Sequence, residues 1–377
     1  MNNRKWLAFI CAAVCLAVTF TAGCSGADEE PVTVTKIIDP TENTKTDSDA
    51  DSSSDSSSDS SSDSSSDSAT GSASDSKEGA SQLVWATYWD TDGLKEALEN
   101  NASDYDAIGF FAAYYDETGR AFIPEGTLTL TQQLKASGLF DSKTSFLTFV
   151  NDQTTSSGSK LKDTDLLYSL LGTGELASAH VDEVVALAKA GGYDGIEIDY
   201  EAIKKDMTLW SNFLDFIKLL NERTASEGLK LRVLFEPGAP IESFDWPEGP
   251  EYVMMCYNLY GFGTRPGPKA DPDFLISMAD KMETVGTNIN FALANGGFDW
   301  ADNGDIAQIT SVACSEIISR QGIAPTRDPN SGALYFTYTD DTGMNHTIWY
   351  ADDETIITWQ EVIKSRGHNS FSLWRLP

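Results

Sequence analysis

Eight apolar runs, each too continuous for a strand with one wet face, punctuate the chain from residue 83 onward. They are LVWATYW (83–89), DAIGFFAAYY (106–115), SFLTFV (145–150), YDGIEIDYE (193–201), LRVLFE (231–236), YVMMCYNLY (252–260), NINFALA (288–294) and NSFSLWRL (369–376). A half-exposed strand alternates apolar with polar residues. A strand covered on both faces does not, and parallel sheets are built from such strands. Helix-like stretches at 91–100, 128–137, 180–190, 207–220, 273–285 and 307–320 separate the runs. In 207–220, Met207, Trp210, Phe213, Leu214, Ile217 and Leu220 recur at helical spacing. Eight strands with helices between them predict an α/β fold, a (β/α)8 TIM barrel. An open doubly wound sheet would ask for a glycine-rich phosphate turn after an early strand, and none follows LVWATYW. The segment ALYFTYTDDTGMNHTIWYAD (333–352) reads as two strands about an Asp-Thr-Gly turn, a small hairpin insertion between strands 7 and 8. No helical stretch follows the eighth run, so the N-terminal segment or the loops are expected to cover that flank.

The first 79 residues carry no core pattern. Residues 1–23 read as a signal peptide, with Arg4 and Lys5 before an apolar run from Trp6 to Phe20 that is short for a membrane span. TAGC (21–24) resembles the lipobox of bacterial lipoproteins, which implies lipidation at Cys24. Residues 24–79 are rich in Ser and Asp, with Asp51, Asp55, Asp59, Asp63 and Asp67 at every fourth position. Such a segment cannot bury enough apolar area to offset its ordering entropy, and it reads as a solvated, lipid-anchored tether. The catalytic or binding domain is then 80–377. The chain is expected to be exported to the bacterial cell surface, with the lipid anchor as its membrane contact. A formal net charge of −32 argues against nucleic acid and anionic lipid as partners. Cys256 and Cys314 are the cysteines of the folded part, so no disulfide framework is expected, and a single bridge between them stays open. No CxxC, HxH or HExxH motif supports a metal site. The domain is read as a monomer.

DGIEIDYE (194–201) places four carboxylates in an otherwise buried strand. Side chains alternate along a strand, so Glu197, Asp199 and Glu201 share the face that points into the barrel and climb towards its C-terminal mouth. Ile196, Ile198 and Tyr200 face the helices, and Asp194, out of phase, sits at the strand's start. No basic residue is assigned to the inward positions of the neighbouring runs. Three stacked acids without a cation must share protons, which raises the affinity of some for a proton and suits general-acid catalysis.

This octapeptide resembles the DGxDxDxE signature of glycoside hydrolase family 18, the chitinase-like barrels. MCYNLYG (255–261) is similar to that family's MxYDxxG segment, SLWRLP (372–377) to its final strand, and HTIWYAD (346–352) to a hairpin of its spore-cortex and cell-wall N-acetylglucosaminidases. The resemblance implies a hydrolase of O-glycosyl bonds, chitinase or β-N-acetylglucosaminidase in type, acting on chitin oligomers, peptidoglycan or N-glycan cores without a cofactor. It implies Glu201 as general acid/base and Asp199 as the carboxylate that orients the substrate's acetamido group. Glu197 would be the innermost acid, one methylene longer than the usual Asp, and would share a proton with its neighbour. Tyr257 would bond the acetamido carbonyl, with Met255 beside it in the motif, and Trp374 would floor the sugar site. Asn258 stands where Asp is usual. The seventh run ends at Asn295 with no acid before Asp299, where many barrel glycosidases carry a nucleophile; Glu236 is the one rival acid and is read as a substrate contact. Substrate-assisted, retaining catalysis follows from the resemblance. Tyr88, Trp89, Tyr114, Tyr115 and Tyr260 end apolar runs, and among them Tyr88 is the preferred sugar contact. The alternative function is a lectin-like barrel that binds glycans without turnover.

Overall fold

The computed structural model describes residues 81–376 except 90, 92, 101–103 and 140; the signal peptide, Cys24 and the tether lie outside the described residues. Eight strands, β1 (Gln82–Thr87), β2 (Ala107–Tyr115), β3 (Thr144–Thr155), β4 (Gly195–Asp199), β5 (Lys230–Phe235), β6 (Glu251–Met255), β7 (Ile289–Ala294) and β8 (Phe371–Trp374), pair in parallel in chain order. β8 pairs with β1 and closes the barrel. Around it run α1 (Leu94–Asn100), α2 (Glu125–Ala136), α3 (Thr164–Leu171), α4 (Gly174–Ala190), α5 (Met207–Glu227) and α6 (Pro272–Met282), with a single turn, Ile241–Ser243, between β5 and β6. The apolar runs are continuous because both strand faces are covered. Val84, Ile108, Leu147, Ile196, Ile198, Val233 and Met254 pack outward against the helices. Leu83, Trp85, Phe146, Leu234, Val253 and Met255 fill the barrel's interior.

Between β7 and β8 the expected hairpin proves to be part of something larger. Five antiparallel strands, in the order Ile306–Ile309, Gly296–Ala301, Asn345–Ala351, Leu334–Thr339 and Thr326–Arg327, form a second sheet. Helix α7 (Ser311–Gln321) belongs to it: Cys314 packs with Phe336, Ile348 and Tyr350 of the sheet. The stretch 307–320 is therefore not a barrel helix. The helix that leads into β8 is α8 (Asp353–Lys364), which the sequence reading left out. Its signals were present: Asp352 caps it through the Thr355 N–H, and Ile356, Trp359 and Ile363 are buried on one face. Cys256 lies in the layer between barrel and helices and Cys314 in the inserted unit; both are free thiols, which answers the question of a bridge. Beside β8 a cavity of about 710 Å³ opens between α1 and α8, lined by Gln82, Tyr105, Ile356 and Leu376 among others.

Candidate active site

β4 holds the acids where strand alternation puts them. Glu197 and Asp199 are buried, Glu201 follows the strand at the mouth, and Asp194 accepts hydrogen bonds from the backbone N–H and hydroxyl of Ser145 at the strand's start. The expectation of an interior without cations is corrected by Arg232. Arg232 lies directly across from Glu197 in the β4–β5 register, and its Nε donates to Glu197 Oε2 at 2.8 Å. Trp85 Nε1 and Thr148 Oγ1 donate to the other oxygen at 2.6 and 2.7 Å. Arg232 also pairs with Glu251 and donates to Ser372, which bonds Asn290 in turn. Glu197 is thus an ion-paired anchor for the barrel's lower layer. Trp85 reaches it because residue 109 is glycine: a Cβ there would lie 2.6 Å from the indole.

One layer higher, Asp199 has no such compensation. Its Oδ1 is buried with no hydrogen-bond partner among the described residues. Burial first, then the charge of Glu201, pushes its carboxyl well above the usual carboxylate range, and Glu197 and Glu236 add to this against the opposing pull of Lys162. Tyr257, just past β6, has its phenol pushed well above its ordinary range by burial and then by Asp199, Glu201 and Glu197, so it stays a donor. Met255 is buried inside the barrel near Tyr257.

Glu201 is gripped at its backbone. Its N–H donates to Asn151 Oδ1 at 2.9 Å, and Asn151 Nδ2 donates to its carbonyl at 3.1 Å. The next residue, Ala202, is left-handed at φ 62°, and its N–H donates to Glu236 Oε2 at 2.7 Å. Left-handed backbone costs a non-glycine residue about 1–2 kcal/mol, so this turn holds strain beside the acid. Burial, then Glu201, raises the Glu236 carboxyl, with which it shares a side-chain hydrogen bond. Glu236 is therefore committed to shaping the Glu201 turn.

Asn258 has a backbone reason for its identity. It is exposed and left-handed at φ 63°, a conformation that asparagine tolerates better than most residues. Trp374 is half-buried at the end of β8, 5.9 Å from Trp85 and 4.8 Å from Phe111 between ring centroids. Phe111 meets Trp89 edge-on at 5.8 Å, and Trp89 is 36% exposed. The aromatic path from the interior to the surface thus runs through Trp89. Tyr88 is turned instead against Gly126 of α2. Tyr115 is fully buried outside the barrel, where its hydroxyl meets His180 and Tyr200, and Tyr260 lies against Arg265 on the β6 loop.

Neither Asn295 nor Asp299 supplies a bare acid at the end of β7. Asn295, just past β7, uses its amide to bond the backbone of Arg375. Asp299 sits in the inserted sheet and accepts from Tyr338 and His346.

No family model matches the chain. A glycosylase of Bacillus subtilis (strain 168), YvbX, described as uncharacterized, is 23% identical over 239 residues, 56% of this chain and 69% of its own. A cortical fragment-lytic enzyme of Bacillus cereus is 22% identical over 227 residues, 56% of this chain and 53% of its own, so the chain spans only about half of that relative. Among solved structures, a chitinase from Chromobacterium violaceum ATCC 12472 superposes with a TM-score of 0.66 at 21% identity, over 79% of this chain and 94% of its own. The Bacillus cereus spore cortex-lytic enzyme SleL gives 0.67 at 16% identity, over 80% and 72%. The barrel is thus the one on which these enzymes are built.

Proposed function

We propose that this protein is a glycoside hydrolase that cleaves β-linked N-acetylglucosamine glycans with retention, using the substrate's own acetamido group as nucleophile. The observation that carries the proposal is Asp199: a buried carboxyl, one oxygen without a partner among the described residues, two residues below an acid at the mouth. A buried polar atom left open inside a polar cluster invites a ligand group. An acetamido N–H fits Asp199 Oδ1, and the Tyr257 hydroxyl can donate to the acetamido carbonyl. Held so, the carbonyl oxygen attacks C1 while Glu201 gives its proton to the leaving oxygen. The glycosidic bond breaks as the ring of an oxazolinium ion closes. Glu201, now a carboxylate, takes a proton from water, which opens that ring with net retention. The names of the relatives, chitinase and cortex-lytic enzyme, support this class of substrate. With it goes the sequence reading of an exported monomer tethered through Cys24.

Fluorogenic glycosides test the proposal. Chito-oligosaccharide glycosides should release their fluorophore, and matched gluco-oligosaccharide glycosides, which lack the 2-acetamido group, should not. Equal release from both would sink the mechanism. Tight binding of the first series without release would favour a lectin-like barrel.

A further inference from the structure

The catalytic mouth carries a cation that the sequence did not advertise. β3 runs on past the barrel and folds back through a short strand, Gly158–Lys160, pairing Gln153 with Lys160. Lys162 follows this hairpin in a left-handed conformation, φ 52°. Its backbone N–H donates to Asp152 Oδ1 at 2.7 Å, and the next residue, Asp163, donates its N–H to the Asn151 carbonyl and caps α3. From this fixed base the Lys162 ammonium reaches Glu201 Oε2 at 2.5 Å. One excursion of the chain therefore holds both ends of Glu201: Asn151 its backbone, Lys162 its side chain.

Resting on the reading of Glu201 as general acid/base, we propose that Lys162 is a positioning residue that holds the Glu201 carboxylate in the free enzyme and sets the alkaline limit of hydrolysis. A cation against a carboxylate favours the charged form over the proton-bearing form. In the free enzyme the Lys162 ammonium lies against Glu201 Oε2, the carboxylate that must carry the proton for the leaving oxygen. Once that proton has been given up, the same cation stabilises the carboxylate that must act as base towards water. Charged and titratable groups face the pair from several elements. Glu201 and Asp199 come from β4 and the turn after it, Glu236 from the end of β5, Asp152 from the β3 extension, and Tyr257 from the end of β6. Burial works against the Lys162 charge, but Glu201, Glu236 and Asp199 together hold its ammonium above the usual lysine range. Burial also lifts the Asp152 carboxyl beneath Lys162, to about 6. The Lys162 side chain is half-exposed at the mouth.

Two measurements separate this proposal from the hydrolase reading. The first is the pH profile of kcat/KM on a chito-oligosaccharide glycoside for wild type, Lys162→Met and Lys162→Arg. Lys162→Met should move the alkaline limb upward by about one pH unit, while Lys162→Arg keeps it near wild type and all three melt together. The second needs no turnover: ¹⁵N NMR of the Lys162 amine should titrate about one pH unit lower in Glu201→Gln than in wild type. An unmoved alkaline limb overturns the proposal. So does a Lys162 titration indifferent to Glu201→Gln, whether or not the protein hydrolyses glycans. Absence of turnover with a displaced titration leaves the pair standing and removes the hydrolase reading instead.

Discussion

Glu201→Gln is expected to lose turnover by on the order of 10²–10⁴, the usual contribution of a positioned general acid. The amide keeps the shape of the side chain and can still accept from Lys162, but it has no proton to give the leaving oxygen and cannot act as base towards water. The fold should survive, since Asn151 grips the Glu201 backbone and not its carboxylate. The Lys162 pair is partly exposed, and such pairs contribute at most about 1 kcal/mol. Steady-state kinetics on a chito-oligosaccharide glycoside, with a thermal melt beside it, checks both halves. A variant that keeps most of the wild-type rate removes Glu201 from the chemistry.

Arg232→Met should instead damage the fold. The guanidinium is 1% exposed and faces two carboxylates, Glu197 and Glu251. Met fills much of the same space but leaves Glu197 buried without its cation, and breaking a buried ion pair from one side costs about 3–5 kcal/mol. A carboxylate stripped of its partner can shed its charge by taking up a proton as pH falls. The loss should therefore be larger in mildly alkaline than in mildly acid buffer. Denaturant midpoints across pH measure this. Equal stability of variant and wild type, or a loss that grows on acidification, would contradict the role given to Arg232.

Much of the barrel was legible because its physics is local. Strands buried on both faces write continuous apolar runs, and an acid in such a run stands out; hence β4, its two carboxylates and Glu201 just after it were readable together with the mouth they climb towards. Arg232 was missed although the same alternation exposes it: residues 232, 234 and 236 share a face, so placing Glu236 at the mouth already placed Arg232 in the interior. The inserted sheet was underread because its pairings are distant. Gly296–Ala301 pairs with Asn345–Ala351 across more than forty residues, and the four residues Ile306–Ile309 are too short a run to announce a strand where the helix-like stretch 307–320 begins. Lys162 carries no periodic signal at all. It reaches Glu201 only because a hairpin and a left-handed backbone turn it there. Asn258, read as a sugar contact, also meets a backbone need that the pattern of residues does not show, its left-handed φ.

The claim that the acetamido group performs the nucleophilic step is tested most directly by a series of aryl N-acetylglucosaminides in which the acetyl methyl carries none, one, two or three fluorines. Fluorine withdraws electrons from the carbonyl oxygen without changing the leaving group or crowding the site greatly. If that oxygen attacks C1 while Asp199 and Tyr257 hold the amide, kcat/KM should fall steeply and in order along the series. A flat series would mean that an enzyme carboxylate or a water attacks instead, and the roles assigned to Asp199 and Tyr257 would fall with it.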